Sequence, residues 1–338
     1  MILACDVGGT KTNVALLESR GGALEIVRLE TFQSREHDSL DEILTAFLRG
    51  DALPLESAGF GVAGPVIGGR AITTNLPWSI DARRLADRLG LPSVALLNDV
   101  EAIAWAVDSL PGEDLLTLQP GLPEVGNVAV VAAGTGLGVS ALVRSAGIMV
   151  SLASEGGHAD FAARSDLEVD LLAFLRSRHG HVSVERVLSG PGLVSIHEFL
   201  RESEGGDEPE WLVSGLRSGH PAAAIARAAM NGSSQACARA VDLFLGIYGA
   251  EAGNWALRTL ATGGVYLGGG IAAKLLGAAS GGSDAWRNRA RDLLLQGFLD
   301  KGRHRSILER MPLRVILNEK APLIGAARCA AVASATRR

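Results

Sequence analysis

The chain has 338 residues, of which 47% are hydrophobic and 20% charged, a composition typical of a globular protein large enough for two domains. The formal net charge of −5 argues against general nucleic-acid binding, because that function requires clustered Lys and Arg. The three cysteines lie far apart and form no CxxC motif, which indicates a reduced, cytoplasmic protein without a zinc signature. No apolar run approaches the ~18 residues that a membrane span needs, so we expect no membrane contact.

Strand and helix patterns alternate over the first third of the chain. Strands are predicted over 2–7, 12–18, 24–32, 56–63 and 93–98, and helices over 38–50, 81–90 and 100–110. Asp38 and Ser39 are alternative N-caps of the first helix, and the strand over 93–98 is predicted to be buried.

The same order of elements begins again after residue 126. Strands are predicted over 127–133, 137–143, 265–270 and 313–317, and helices over 166–178, 183–203, 221–260, 284–300 and 321–334, with a further helix beginning at Ile271. Surface loops are predicted over 201–210 and 275–285. A strand, a glycine turn and a returning strand occur in both parts, which suggests two related halves. Strands that alternate with helices predict the α/β class.

Three glycine-rich turns follow predicted strands, in the sequences DVGGTKT, AAGTGLG and LGGG. In the first, Gly8 and Gly9 allow backbone N–H groups to face an anion, and Thr10 adds a hydroxyl. Asp6 is a carboxylate of the kind that holds hydrated Mg²⁺. A plain hairpin turn or tight helix–sheet packing explains any one of them equally well. The three together favour a nucleotide held by phosphate-binding turns.

Asn98 and Asp99 follow a predicted strand at its carboxyl end, where α/β proteins place ligands. Asn98 offers both a donor and an acceptor to a hydroxyl group, and Asp99 offers a carboxylate. The helix N-cap is the alternative role for Asp99, because Asp is common at that position. Asn75 stands beside a rigid Pro–aromatic segment, NLPW, which is typical of sugar sites.

Two further segments carry polar side chains beside glycines. Glu155 and His158 flank two glycines in EGGHADF, and those glycines argue against a helix and for a loop that faces a small ligand. Glu185 precedes Ser189 and the sequence GPG, in a position where the helix dipole alone also favours an acidic residue.

Eight motifs in order resemble the bacterial glucokinases, which belong to the actin-like, hexokinase-like sugar kinases. The motifs are DVGGTKT, GVAGPV, TNLPW, LLNDVEA, AAGTGLG, SEGGHADF, ERVLSGPGL and YLGGGI, and they span residues 6–271. The resemblance implies an α/β protein with two ribonuclease-H-like (actin-like ATPase) domains around a cleft. It implies a small domain over 1–109 and a large one over 110–338, whose last helix packs back on the small domain.

The resemblance also implies ATP-dependent phosphorylation of glucose at its 6-hydroxyl, with ATP and Mg²⁺ as cofactors. It makes Asp99 the general base and assigns sugar contacts to Asn75, Asn98, Asp99, Glu155, His158 and Glu185. Phosphate and nucleotide contacts fall on Asp6, Gly8, Gly9, Thr10, Lys11, Gly134, Thr135 and Gly269. A homodimer is implied as well, and the apolar helices after residue 221 suit an interface and core packing equally.

The sequence departs from the family pattern at two places. Lys11 stands where many of these glucokinases have Asn, and Lys is more typical of the related repressor–kinase group. That group carries a cysteine-rich zinc motif after its EGGH-like segment, whereas ADFAARSDLEVD follows here. We therefore expect no structural zinc.

Other functions stay compatible with parts of the sequence. A sugar-sensing repressor of this fold would carry a helix-turn-helix before the first glycine turn, whereas the turn here begins at Asp6. An actin-like ATPase without sugar chemistry would leave the polar set around Asn98, Glu155 and Glu185 unexplained. Within the kinases, mannose or an N-acetylated hexosamine stays open as acceptor, and ADP or polyphosphate as donor.

Overall fold

The computed structural model describes residues 1–21, 23–49, 54–73, 76–122, 124–205, 209–217, 219–278 and 281–336. Contacts between residues divide the chain into two compact units. Unit 1 consists of Met1–Asp114, Ser140–Ala153 and Asn318–Arg338, and unit 2 consists of Leu115–Val139 and Ser154–Leu317. The domain limits implied by the resemblance, 1–109 and 110–338, stay a prediction.

Strands and helices alternate along most of the chain. The strands are β1 (Ile2–Val7), β2 (Lys11–Arg20), β3 (Ala23–Gln33), β4 (Ser57–Val62), β5 (Val66–Ile67), β6 (Arg70–Ile72), β7 (Ser79–Asp81), β8 (Ala95–Asn98), β9 (Leu115–Gln119), β10 (Val128–Ala133), β11 (Leu137–Ser145), β12 (Ile148–Leu152), β13 (Gly264–Gly268) and β14 (Leu313–Ile316). The helices are α1 (Leu40–Phe47), α2 (Ala82–Leu89), α3 (Asp99–Ala106), α4 (Asp166–His179), α5 (Gly190–Glu204), α6 (Glu210–Arg217), α7 (Pro221–Met230), α8 (Gln235–Thr259), α9 (Gly269–Leu276), α10 (Asp284–Leu299), α11 (Arg305–Arg310) and α12 (Ala321–Ala335).

The main sheet of unit 1 has the strand order β3-β2-β1-β4-β8. The strands β1, β2 and β3 are antiparallel neighbours, whereas β4 pairs in parallel with β1 and with β8. Because the carboxyl ends of parallel strands meet at one edge, Asp6 and Asn98 lie at the same edge of this sheet. The register agrees, since Asp6 is level with Gly61 and Val62 is level with Asn98.

Helix α12 packs within unit 1 on β1, β4 and α3. Two glycines permit the close approach. A Cβ atom on Gly59 would lie 2.0 Å from the carbonyl oxygen of Ala326, and one on Gly325 would lie 1.7 Å from that of Ala102. The C-terminal helix therefore supports α3, which begins at Asp99, by direct backbone packing.

In unit 2 the strands follow the order β10-β13-β14-β9, and the first three are parallel. Every residue of β10 and β13 is buried. The 25-residue helix α8 packs on them, and the Tyr248 hydroxyl donates to the carbonyl oxygen of Val131 at 2.9 Å. This contact ties α8 to β10 just before the strand ends in a glycine turn.

The predicted α/β class is confirmed, and most predicted elements lie where the sequence places them. Helix α1 is shorter than predicted, and Ser39, not Asp38, accepts the capping hydrogen bond, from the N–H of Glu42. The strand β8 is only half-buried, because it is the edge strand of its sheet. The strand predicted over 93–98 is therefore present as β8, whereas the prediction that it is buried was wrong.

Two long helix predictions were also wrong. The segment 221–260 forms α7 and α8, separated where Gly232 takes a φ of +71° and Ser234 caps the second helix. The segment 183–203 begins with a 3-10 turn at Val184–Arg186, and α5 starts only at Gly190.

The sequence analysis missed the small sheet β5-β6-β7, the strands β9 and β12, and the helices α6 and α11. Surface loops were predicted over 201–210 and 275–285, but α5 extends into the first as far as Glu204 and α9 into the second as far as Leu276. Residues 206–208 and 279–280 of these segments lie outside the described residues. Within the described ranges, no helix has the length and apolar character needed to cross a membrane.

Candidate functional site

The turn between β1 and β2 carries the first glycine motif. The N–H of Gly8 donates to the carbonyl oxygen of Lys11 at 3.0 Å, so this amide is used to close the turn. Ser34 clamps the turn from outside, since its hydroxyl donates to the Gly8 oxygen at 2.8 Å and its N–H to the Thr10 oxygen at 2.9 Å. A Cβ atom on Gly8 would lie 2.9 Å from the Lys11 oxygen, which explains the glycine. The turn is a fixed scaffold that presents Gly9 and Thr10.

Two carboxylates lie near this turn at the carboxyl edge of the sheet. Burial raises the pKa of Asp6, and a hydrogen bond from Asn13 Nδ2 to Asp6 Oδ2 at 3.2 Å partly opposes the shift. Burial and then the negative charge of Asp6 raise the pKa of Asp99 to about 6, although the backbone N–H of Val100 donates to its carboxylate. The pair therefore interacts electrostatically in a desolvated place, which suits a proton acceptor and a bound cation.

Asn98, not Asp99, is the N-cap of α3. Its Oδ1 accepts from the N–H of Val100 at 2.9 Å, and its Nδ2 donates to the carbonyl oxygen of Gly64 at 3.1 Å. Glu101 completes a capping box, because its Oε2 accepts from the N–H of Asn98 at 3.1 Å. The capping alternative for Asp99 was therefore wrong, and its carboxylate belongs to the first residue of the helix.

The second glycine turn, between β10 and β11, is held by Glu185 and α5. The N–H of Gly134 donates to the oxygen of Gly136 at 2.8 Å, and the N–H of Gly190 donates to the oxygen of Gly134 at 2.9 Å. Glu185 Oε2 accepts from the N–H of Leu137 at 2.9 Å. A Cβ atom on Gly136 would lie 2.5 Å from that carboxylate oxygen. Each glycine turn is thus closed by a backbone hydrogen bond, from Gly8 to Lys11 in the first and from Gly134 to Gly136 in the second.

Three predicted sugar contacts come together in unit 2. His158 Nε2 lies 3.9 Å from Glu155 Oε2, and His158 Nδ1 lies 3.8 Å from Glu185 Oε1. Residues Gly156–His158 form one 3-10 turn, so a helical turn occurs in spite of the two glycines. The three side chains keep a third to more than half of their surface exposed, at 59%, 59% and 32% for Glu155, His158 and Glu185. They are therefore accessible to a ligand.

The glycines of this turn are required by close packing. A Cβ atom on Gly157 would lie 2.0 Å from the carbonyl oxygen of Leu137, and one on Gly156 would lie 2.7 Å from Trp255 Cζ2. The N–H of Gly156 donates to Ser154 Oγ at 3.0 Å. The turn that carries Glu155 and His158 therefore rests directly on the strand that follows the second glycine turn.

We expect Gly157→Ala to lower the free energy of unfolding by about 3 kcal/mol, the upper part of the usual range for overpacking, because a backbone oxygen cannot move aside. Urea unfolding would measure the loss. Gly246→Ala is the matched control in unit 2, since its Cβ would have Arg164 Nη2 at 4.0 Å as its nearest neighbour. Equal stability of both variants would contradict the packing argument.

A cavity of about 790 Å³ lies in unit 2 beside the second glycine turn. Its wall is mostly apolar, and its lining includes Gly134, Thr135, Gly190 and Gly270, with Lys274 as a basic group. Gly190 and Gly270 lie in the first turns of α5 and α9, and helix N-termini favour phosphate. Gly269 joins β13 to α9 with a φ of +74°, and a Cβ there would lie 2.2 Å from the Ala133 oxygen.

Some residues of this cavity escaped the sequence analysis. His220 and Pro221, at the start of α7, and Lys274 on α9 belong to its lining. The signal for Lys274 was its position four residues after the last glycine of LGGG, on the same face of a helix. Asn75, a predicted sugar contact, lies outside the described residues.

Comparison with known proteins identifies the family. The family profile described as Glucokinase matches residues 3–333. The chain belongs to the glucokinase family. It is 40% identical to a glucokinase of Nostoc sp., over 98% of this chain and 99% of that protein. It is 39% identical to a glucokinase of Synechocystis sp., over 97% of each chain.

Solved glucokinase structures share the fold. A glucokinase from an Antarctic psychrotroph matches with a TM-score of 0.84 and 29% identity over 98% of both chains. A ROK family glucokinase from Streptomyces griseus, in complex with glucose and AMPPNP, matches with a TM-score of 0.59 and 20% identity, over 98% of this chain and 99% of that one. The family and the actin-like sugar kinase fold that the eight motifs predict are thereby confirmed.

Proposed function

We propose that the protein transfers the γ-phosphoryl group of ATP to the 6-hydroxyl of glucose, with Asp99 as general base. The observation that carries the proposal is the group formed by Glu155, His158 and Glu185, which glycine turns hold together in a member of the glucokinase family. The Streptomyces griseus structure, which holds glucose and AMPPNP, supports the choice of acceptor and donor.

Glu155, His158 and Glu185 suit a polyhydroxylated ring. Ionised carboxylates accept hydrogen bonds from hydroxyl groups, and an imidazole donates from one nitrogen and accepts at the other. A site built on such bonds rejects a ring that lacks a matching hydroxyl, because the protein groups would then stay unpaired. These three side chains, with Asn98, would fix the ring and its 6-hydroxyl.

Asp99 supplies the proton acceptor. A sugar hydroxyl is a weak nucleophile, and the transition state of phosphoryl transfer is loose and highly charged, so catalysis depends on positioning and on charge stabilisation. With a pKa of about 6, Asp99 is ionised at neutral pH and still basic enough to accept the hydroxyl proton as the oxygen attacks phosphorus.

The donor would be held mainly by unit 2. The apolar cavity suits the adenosine, and the starts of α5 and α9, Lys274 and the turn at Gly134 and Thr135 suit the phosphates. Asp6, Gly9 and Thr10 would contribute from the first turn. The backbone N–H groups of Gly8 and Gly134 donate hydrogen bonds inside their own turns, so the role of these two glycines is to shape the turns.

Asp6 fits a hydrated Mg²⁺, because its carboxylate is buried and the amide of Asn13 is its side-chain hydrogen-bond partner among the described residues. Among the described residues, no group of three or more His, Cys, Asp and Glu could hold a metal ion. A single carboxylate with water and phosphate oxygens is the usual way in which proteins bind Mg²⁺. When bound, the ion would neutralise phosphate charge. The homodimer implied by the resemblance and the cytoplasmic location indicated by the cysteines stay predictions.

A coupled assay of ADP release tests the proposed function. With Mg²⁺–ATP as donor, we expect turnover with glucose well above turnover with mannose, fructose or N-acetylglucosamine. Exchange of ATP for ADP or polyphosphate, with detection of glucose 6-phosphate, would test the alternative donors. A folded protein that binds ATP and phosphorylates none of these sugars would overturn the proposal.

The activity should fall in mild acid. Protonation of Asp99 removes the base, and its pKa is raised to about 6, so kcat/KM for glucose should decline as the pH falls through 6. A carboxylate of ordinary pKa, near 4, would keep full activity down to about pH 5. A pH profile at saturating Mg²⁺–ATP measures the position of this limb. A flat profile between pH 7 and pH 5 would contradict the assignment.

Glu155→Ala should mainly weaken glucose binding. The side chain is exposed and, within the described part of the chain, forms no hydrogen bond to the backbone, so its loss removes hydroxyl contacts and leaves the turn intact. We expect the KM for glucose to rise about tenfold, as for one hydrogen bond to a charged group, with little change in the KM for ATP. Glu198→Ala, on α5, is the control. An unchanged KM for glucose would count against this contact.

A further inference from the structure

Glu101 is a buried carboxylate to which the proposed chemistry assigns no part. It is 6% exposed and is the third residue of α3, two residues after Asp99. Burial and then the negative charge of Glu101 raise the pKa of the neighbouring Cys329 thiol to about 12. A buried carboxylate is costly unless donors satisfy it, so its two partners identify what it does.

The two oxygens of Glu101 have different partners. Oε2 accepts from the backbone N–H of Asn98 at 3.1 Å, at the start of the helix that carries Asp99. Oε1 accepts from the hydroxyl of Ser151 on β12 at 3.0 Å. An N-cap needs only the first of these bonds. The second bond joins the Asn98–Asp99 segment to a strand that lies far away in sequence.

Strand β12 is itself held within unit 1. It pairs with β11, with Leu152 opposite Ala141 and Ser151 opposite Leu142. The hydroxyl of Ser140 donates to the oxygen of Leu152 at 2.9 Å. The hydroxyl of Ser151 is therefore a fixed partner for Glu101.

We propose that the Glu101–Ser151 hydrogen bond positions the start of α3, which carries Asn98 and Asp99, for glucose binding. Glu101 and Ser151 are positioning residues, because they act through Asn98 and Asp99 at the start of the same helix. This inference rests on the proposed function. It predicts that the bond affects glucose far more than ATP, although neither residue touches the sugar.

Ser151→Ala is the decisive variant, because it removes the second bond and leaves the capping bond of α3 in place. We expect it to weaken glucose binding about fivefold, the factor that corresponds to one ordinary hydrogen bond. The KM for ATP and the Tm should stay near those of the wild type. Glucose binding is measured without ATP by tryptophan fluorescence, and kinetically as KM. Ser145→Ala, on an exposed serine of the paired strand β11, is the matched control.

Variants at Glu101 separate positioning from capping. Glu101→Gln should keep near-normal glucose affinity, because its amide oxygen accepts from Asn98 and its NH₂ group donates to the Ser151 hydroxyl. Glu101→Ala should weaken glucose binding, and Ser151→Ala should add nothing to that loss in the double variant, since the two residues share one bond. Losses that multiply in the double variant would overturn the proposal.

The two hypotheses fail in different ways. If the wild type phosphorylates glucose while Ser151→Ala binds it normally, the positioning role is wrong and the proposed function stands. If Glu101→Ala lowers the Tm and Ser151→Ala changes nothing, Glu101 is a helix cap only. A wild type that neither binds nor phosphorylates glucose overturns the proposed function together with this inference.

Discussion

Replacing Asp99 with Asn is expected to lower kcat about 1000-fold, within the range that a general base contributes to catalysis. The amide has the same shape but cannot accept the hydroxyl proton. Its neighbours remain, because Asn98 and Glu101 build the helix start without Asp99. Glucose binding, measured by tryptophan fluorescence, should therefore change by less than the turnover does.

Loss of the Asp99 charge should also change the stability of the protein. Burial and the charge of Asp6 raise the pKa of Asp99, so the ionised carboxylate is disfavoured in the folded protein. Above pH 6 the neutral Asn variant escapes this cost and should be at least as stable as the wild type, whereas below pH 4 the two should converge. Asp87→Asn, at an exposed position of α2, is the control. Normal turnover by Asp99→Asn would remove Asp99 as the base.

Much of the site was predictable because its residues stand in short motifs whose geometry is local. The turn after β1 and the turn after β10 follow from glycines that directly succeed apolar strands, and each closes on its own backbone. Gly157 could likewise be predicted to be special, although only the structure identifies the Leu137 oxygen as the atom that excludes a side chain. In each of these two turns, the donor and the acceptor of the closing hydrogen bond lie within three residues of each other.

Residues that support the site from a distance could not be predicted in this way. Ser34 is 26 residues from Gly8, and Ser151 is 50 residues from Glu101. A lone Ser or Glu carries no sign of its partner, because the partner depends on strand order and register. The same reason explains why β8 was wrongly predicted to be buried. Its apolar residues are typical of a buried strand, but the strand order places it at the edge of the sheet.

Glu185 both holds a glycine turn and faces His158, so its removal should affect more than one part of the site. One carboxylate oxygen accepts from the N–H of Leu137 and holds the turn at Gly136, while the other faces His158. Glu185→Ala should therefore weaken glucose binding and also disturb the turn at Gly134 and Gly136. We expect kcat/KM for glucose to fall about 100- to 1000-fold, the product of two lost bonds to a charged group.

Glu185→Gln divides this loss between its two causes. The amide oxygen can still accept from the N–H of Leu137, so the turn at Gly136 and the KM for ATP should be preserved, whereas the lost charge weakens the hold on the sugar. Glu155→Ala should resemble Glu185→Gln, and Glu185→Ala should differ from both by a raised KM for ATP. If Glu185→Ala changed only the KM for glucose, the carboxylate would be a sugar contact alone, and the turn at Gly134 and Gly136 would hold its shape without it. The KM for ATP in these three variants thus measures whether one side chain joins the acceptor and donor halves of the reaction.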